Sequence, residues 1–160
     1  MEVLQSDSDS GRHYWPWMHA VRYTEEKTVK LPVLDSRWLD AAVEAQAVDL
    51  VCDLARANHP PTNAFLSDQL ATIKKPHESQ EILSTMVRIA HPGAADAVIE
   101  ALKKTAKETT YYYVGYWYAR MIADLPKSAL PKFEALLPTL PEKMVDQLME
   151  SVLAMKNRPD

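Results

Sequence analysis

Apolar residues recur at steps of three and four positions from Asp35 to the end of the chain, which is the spacing of one face of an α-helix. Proline and capping residues interrupt this pattern at intervals and divide it into seven stretches. The pattern therefore predicts seven helices. In chain order they run from Ser36 to about Arg56, from a Thr62 cap to Lys75, from Pro76 to Ala90, from Ala95 to Ala106, from Thr109 or Thr110 to Leu125, from Ser128 to Leu137, and from a capping box at Thr139-Leu140-Pro141-Glu142 to Met155.

The first 34 residues lack this helical spacing. They begin with a small, polar stretch and continue into His13-Tyr14-Trp15-Pro16-Trp17-Met18-His19, where aromatic side chains surround a proline. We expect residues 1–34 to form an irregular segment that packs as a cap on the first helices of a helical domain spanning residues 35–160.

The connections between helices repeat. His59-Pro60 recurs 32 residues later as His91-Pro92, and Pro92, Ala95 and Ile99 recur 34 residues later as Pro126, Ala129 and Phe133. A fixed period of this length, with one helix pair in each repeat, is typical of an α-solenoid. The predicted fold is all-α: a short solenoid of antiparallel helix pairs with an irregular N-terminal segment.

The repeat resembles the HEAT-like, armadillo-type family. Leu130-Pro131-Lys132-Phe133-Glu134-Ala135-Leu136-Leu137-Pro138 resembles the first helix of a HEAT repeat, and the segment from Met144 to Met155 resembles the second. The similarity covers about residues 60–157 and departs from the family in its shorter period and in lacking the repeated bridging aspartate and arginine. It implies the C-terminal part of a larger bacterial HEAT-repeat protein, in which the helix from Ser36 would stand unpaired. Such arrays serve as scaffolds, transport adaptors and occasionally enzymes.

Charge, cysteine content and the absence of long apolar runs limit which partners and which cellular compartment we expect. The net charge of −4 and the sequence pI of about 5.7 disfavour nucleic acid as a partner. Cys52 is the only cysteine, which excludes an internal disulfide and suits a reducing compartment. Neither a secretory signal nor an apolar run of about 20 residues is visible, so we expect a cytoplasmic protein without a membrane partner.

Residue patterns for catalysis, cofactor binding or metal binding are not recognisable in this sequence. His77 and Glu81 occupy the two positions that a zinc-protease helix gives to histidines, so that motif fails. His59 and His91 stand at equivalent turns and are interpreted as turn caps. Cys52 lies in the middle of a predicted helix, where a thiol is usually a small core side chain. We therefore expect a non-enzyme with no cofactor and no metal.

The stretch from Tyr111 to Tyr118 contains five tyrosines and one tryptophan. Successive helical residues turn by about 100°, so these side chains cannot all face one core. One interpretation places Tyr113 and Trp117 in the core and the others over adjacent helices. The other is a partner-binding patch, because Tyr, Trp and Arg are favoured interface anchors. Its residues would be Tyr111, Tyr112, Tyr116, Trp117 and Arg120.

The leading hypothesis is a non-catalytic interaction or scaffold module. It would bind a protein partner, or the remainder of a larger polypeptide, through a concave helical face. One alternative is a HEAT-like DNA-binding enzyme of the DNA glycosylase type. Such enzymes use aromatic side chains and a carboxylate against the damaged base, and residues Tyr111 to Trp117 with Asp124 would imitate that active site. Another is a small acidic neutraliser of a toxin or enzyme.

Overall fold

The computed structural model describes residues 36–107 and 117–159, which contain eight α-helices and no strand. The predicted cap, residues 1–34, lies outside the described residues. In these described ranges, 3₁₀ turns adjoin helices at Pro76–Ser79, Lys127–Ala129 and Leu137–Thr139. The helices are α1 (Ser36–Glu44), α2 (Val48–Leu54), α3 (Pro60–Thr72), α4 (Gln80–Arg88), α5 (Ala94–Thr105), α6 (Ala119–Asp124), α7 (Leu130–Leu136) and α8 (Glu142–Asn157).

The prediction of one helix from Ser36 to about Arg56, and with it the count of seven, is wrong. The backbone turns at Gln46, whose φ is 54°, and the Ala47 N–H donates to the Ala42 carbonyl oxygen at 3.1 Å. This left-handed residue with a six-to-one hydrogen bond is a Schellman-type end. The stretch is therefore two helices, and α1 packs on α2 and α3 instead of standing unpaired.

Two predicted helix starts are also wrong. α3 begins at Pro60 with His59 as its cap, because the His59 ring accepts the Thr62 N–H, while the predicted cap Thr62 lies inside the helix. The capping box at Thr139 does not form. The Thr139 hydroxyl instead donates to the carbonyl of Leu136, three residues earlier, at 2.7 Å, and α8 begins at Glu142 without a side-chain cap.

The helices contact one another in a regular order. Each odd-numbered helix packs on the even-numbered helix that follows it, and α2, α4, α6 and α8 pack consecutively on one another. We call these four helices the even row. The buried core runs along it and includes Val51, Leu83, Ile122 and Leu148.

Arginines join the carboxyl ends of the even row at two junctions. The Arg88 guanidinium, at the end of α4, donates to the carbonyls of Cys52 and Ala55 at the end of α2, at 2.5 and 3.1 Å. Arg158, which follows α8, donates to the Leu125 carbonyl at the end of α6, at 2.9 Å. Helix ends leave carbonyls without intrahelical partners, and these guanidiniums satisfy some of them. Arg88 to Ala55 and Arg158 to Leu125 span the same 33 residues.

Polar side chains tie the odd-numbered helices together. His59 Nε2 lies 3.1 Å from Asp40 on α1, and His91 Nε2 lies 3.2 Å from the Asn63 carbonyl on α3. Lys132 on α7 donates to Asp96 on α5 at 2.6 Å. Each of α3, α5 and α7 is thus linked to the preceding odd-numbered helix.

Within the described ranges, no helix has the length and apolar character needed to cross a membrane.

Candidate interaction surface

Two of the five predicted partner-binding residues are described by the structure. Trp117 lies two residues before α6 and Arg120 lies in its first turn, and both are exposed. Tyr111, Tyr112 and Tyr116 lie outside the described residues, as does Tyr113. The structure therefore addresses only the end of the aromatic run.

A π-helical turn at Trp117 and Tyr118 leads into α6 and sends these neighbouring rings in different directions. Tyr118 is buried, and its hydroxyl lies 3.4 Å from the Thr105 hydroxyl on α5. Trp117 is 39% exposed. Tyr118, not Trp117, thus occupies the core position here, and it fixes the start of α6 against α5.

Three exposed side chains of different chemical type lie in a line along α6 and the turn that precedes it. Trp117, Arg120 and Asp124 are all exposed and follow one another at steps of three and four. Residues at these spacings lie above one another on a helix. An indole, a guanidinium and a carboxylate therefore share one stripe.

The neighbouring helix of the even row has an exposed stripe with the same spacing. On α4 it consists of Glu81, Ser84 and Arg88. This stripe stays exposed although α4 packs on α2, α3, α5 and α6, and Arg88 reaches from it to the end of α2. We call the exposed stripes of α4 and α6 together the row surface; its residues are Glu81, Ser84, Arg88, Trp117, Arg120 and Asp124.

The charges of the row surface are not equivalent. The Arg88 guanidinium already binds two carbonyls at the end of α2, so its donors are directed into the fold. Arg120 stands on α6 between the indole of Trp117 and the carboxylate of Asp124. The row surface thus combines an apolar anchor with a cation at its centre and carboxylates on both helices.

Both histidines at the repeated turns bind backbone N–H groups of those turns, as predicted, and His59 is also the N-cap of α3, whereas the N-cap of α5 is Gly93. His59 Nδ1 accepts the Thr62 N–H at 3.3 Å, and His91 Nδ1 accepts the Gly93 N–H at 2.9 Å. With Nδ1 accepting, the hydrogen-bond network assigns the proton to Nε2 in both rings. Across residues 36–107 and 117–159, no group of three or more His, Cys, Asp or Glu side chains is arranged to hold a metal ion.

Cys52 is a core side chain on α2. Burial is the main cause that raises the pKa of its thiol to about 11, and nearby carboxylates, Glu81 first, act in the same direction against a lowering hydrogen bond from Thr85. A thiol needs a lowered pKa to act as a nucleophile near neutral pH. The environment of Cys52 favours the protonated, unreactive form.

Three exposed apolar side chains were not predicted as surface residues from the sequence. Trp38 on α1 is 45% exposed, and Met149 and Leu153 on α8 are 39% and 47% exposed. The last two stand apart from the buried stripe of α8, which consists of Met144, Leu148, Val152 and Met155. Their signal in the sequence is an apolar pair at a step of four, shifted by one position from that stripe.

Comparison with protein-family models, with curated proteins and with solved structures gives no match to this chain.

Proposed function

We propose that this chain is a non-catalytic interaction module that binds a protein partner through the exposed side of its even row. The observation that carries the proposal is the row surface, in which Trp117 and Arg120 stand exposed on a helix anchored by the buried Tyr118. Trp and Arg are enriched among residues that dominate binding energy, particularly when a rigid element holds them in place.

The proposal includes a solenoid of HEAT-like helix pairs. Two observations support it: the consecutive packing of α2, α4, α6 and α8, and the arginine contacts of equal 33-residue span at two junctions of that row. In a solenoid each repeat contacts mainly its neighbours, and its curvature produces an extended concave face. The row surface would be part of that face.

The charges of the row surface suggest which side chains a partner would present. Trp117 offers an apolar ring, and Glu81 and Asp124 offer carboxylates on either helix. A partner segment would complement this arrangement if it presented an apolar side chain to Trp117, a carboxylate to Arg120, and lysine or arginine to the flanking Glu81 and Asp124. Such a partner gains its affinity from the buried ring and its orientation from the charges.

A photocrosslinking experiment tests the proposal. A photoreactive phenylalanine analogue is placed at position 117 in one full-length variant and at position 38 in another, and both are irradiated in lysate. Trp38 is the matched control because it is equally exposed but lies on α1, outside the even row. We expect a discrete protein adduct from position 117 that position 38 does not give.

Substitution then establishes whether binding uses this surface. Trp117→Ala and Arg120→Glu should each weaken capture of the crosslinked protein at least tenfold, while Trp38→Ala should leave it unchanged, with circular dichroism verifying the fold. Identical adducts from both positions would contradict the proposal. A gel shift of duplex DNA at low salt that Arg120→Glu abolishes would replace it with the DNA-binding alternative.

A further inference from the structure

The last helix of the even row carries an apolar stripe on its exposed flank. Met149 and Leu153 are exposed, and Val145 is partly buried at the next position along the same line. Glu142 and Lys156 continue this line at its two ends, one helical turn beyond the apolar residues. We call Glu142, Val145, Met149, Leu153 and Lys156 the α8 stripe.

The α8 stripe is symmetric about Met149. Val145 and Leu153 stand four residues to either side of it, and Glu142 and Lys156 stand seven residues to either side. If two such helices pack antiparallel with their Met149 side chains facing each other, Val145 meets Leu153 and Glu142 meets Lys156. Parallel packing would instead put Glu142 on Glu142 and Lys156 on Lys156.

We propose that the α8 stripe is a docking surface for a second copy of this chain, which binds antiparallel about a two-fold axis at Met149. A two-fold contact requires a self-complementary surface, and the α8 stripe has this property in both its apolar and its charged positions. Antiparallel packing also sets the amino end of each α8 beside the carboxyl end of the other, which the helix dipoles favour.

The ion pair that already involves Lys156 is compatible with this contact. Its ammonium donates to Glu134 on α7 at 3.1 Å, and both side chains are about half exposed. An ammonium group has three donors, so Lys156 can bind Glu134 of its own chain and a glutamate of the second copy together. The ion pair with Glu134 also restricts the Lys156 side chain before docking.

Docking of a second α8 would extend the even row. α8 packs on α6 and α7 through one flank, and the α8 stripe occupies the adjoining flank. In the dimer, the two even rows would join through their last helices and the exposed apolar side chains would leave water. Removing apolar surface from water is the main gain expected for the contact.

Sedimentation velocity of the full chain across a hundredfold range of concentration provides the test. We expect a monomer–dimer equilibrium in the wild type. Met149→Glu should raise the dimer dissociation constant at least tenfold, because it buries two carboxylates against each other on the axis. Trp38→Glu introduces the same charge at another exposed apolar position and should leave the equilibrium unchanged. A wild type that stays monomeric throughout, or a dimer insensitive to Met149→Glu, would overturn the proposal.

A charge-exchange experiment tests the antiparallel register. Glu142→Lys puts two cations at each end of the stripe pair in its own dimer, and Lys156→Glu puts two anions there, so each variant alone should dimerise more weakly than the wild type. This weakening distinguishes the registers, because a parallel dimer already pairs like charges at both ends in the wild type. Mixing the two variants then restores a cation opposite an anion at both ends. We expect the mixture to form a heterodimer at a concentration where neither variant dimerises; failure of the mixture to associate above either variant alone would exclude this register.

Discussion

Two junctions of the even row both have an arginine that donates to the terminal carbonyls of a neighbouring helix, but the two contacts differ in their hydrogen bonds. At the junction of α2 and α4, Arg88 donates to two carbonyls from within the row. At the junction of α6 and α8, Arg158 donates to one carbonyl, and Lys127 donates back to the Arg158 carbonyl at 2.9 Å. At the α2–α4 junction one residue, Arg88, makes both bonds. At the α6–α8 junction Arg158 donates one bond and accepts another, from Lys127.

The difference shows how this chain finishes its helices with few glycines. Only three glycines occur in the whole sequence. α1 and α4 end at left-handed residues other than glycine, Gln46 and Ala90, whereas α2 and α6 have terminal carbonyls that accept from an arginine of a neighbouring helix. Arginine suits this role because its planar group carries several donors. At the intervening junction α6 ends on Asp124, whose carboxylate cannot donate to the end of α4.

Truncating one core leucine at each junction should produce the largest effects. Leu83 on α4 and Leu148 on α8 are both fully buried, and replacing either by alanine should lower the free energy of unfolding by about 2–5 kcal/mol. Urea unfolding measures the loss. Ser84→Ala, an exposed change beside Leu83, is the control and should stay within about 0.5 kcal/mol of wild type. A loss at Leu148 far below that at Leu83 would mean that the α6–α8 junction is packed less tightly.

Removing the guanidinium while keeping the aliphatic stem distinguishes the two polar contacts. Arg88→Met deprives two carbonyls of a charged donor and should cost about 1.5–3 kcal/mol of unfolding free energy. Arg158→Met removes one such bond and should cost about 1 kcal/mol. Urea unfolding of both variants gives the ratio. Equal losses would show that the second carbonyl bond of Arg88 contributes nothing.

Sequence patterns predicted the all-helical class and most helix positions, because the apolar spacing of three and four survives in nearly every helix. The break between α1 and α2 was missed because the residues at the turn, Ala45-Gln46-Ala47, are good helix formers. The turn instead follows from tertiary packing that lets α2 return along α1. Local preference carries no signal for such a break.

The helix caps were missed for a different reason. Thr62 and Thr139 both match a cap pattern, but each lies next to a proline or a 3₁₀ turn that shifts the helix start by a few residues. Trp117 and Arg120 were predicted as binding residues from the aromatic run and its helical spacing, and their binding role stays a prediction. Their exposure depends on which ring of the aromatic run enters the core, and the sequence did not distinguish the buried Tyr118 from the exposed Trp117.

A dependence of stability on alkaline pH is also expected from Cys52, which lies at the α2–α4 junction. The Cys52 thiol has a pKa of about 11 in the folded chain against 9.0 for an ordinary thiol. Between these values the unfolded chain releases a proton that the folded chain retains, so stability falls as pH rises and is unaffected below pH 9. At pH 10 the loss should be about 1.4 kcal/mol relative to pH 8.

Cys52→Ala isolates this contribution from the titration of lysines and tyrosines. The variant should be less stable than wild type at pH 8, because it loses a buried sulfur, but the difference should shrink by about 1.4 kcal/mol at pH 10. Urea unfolding at both pH values, under reducing conditions, measures the change. A difference that stays constant or widens would show that the thiol ionises as readily in the folded chain as in the unfolded one. The α2–α4 junction would then admit water at Cys52.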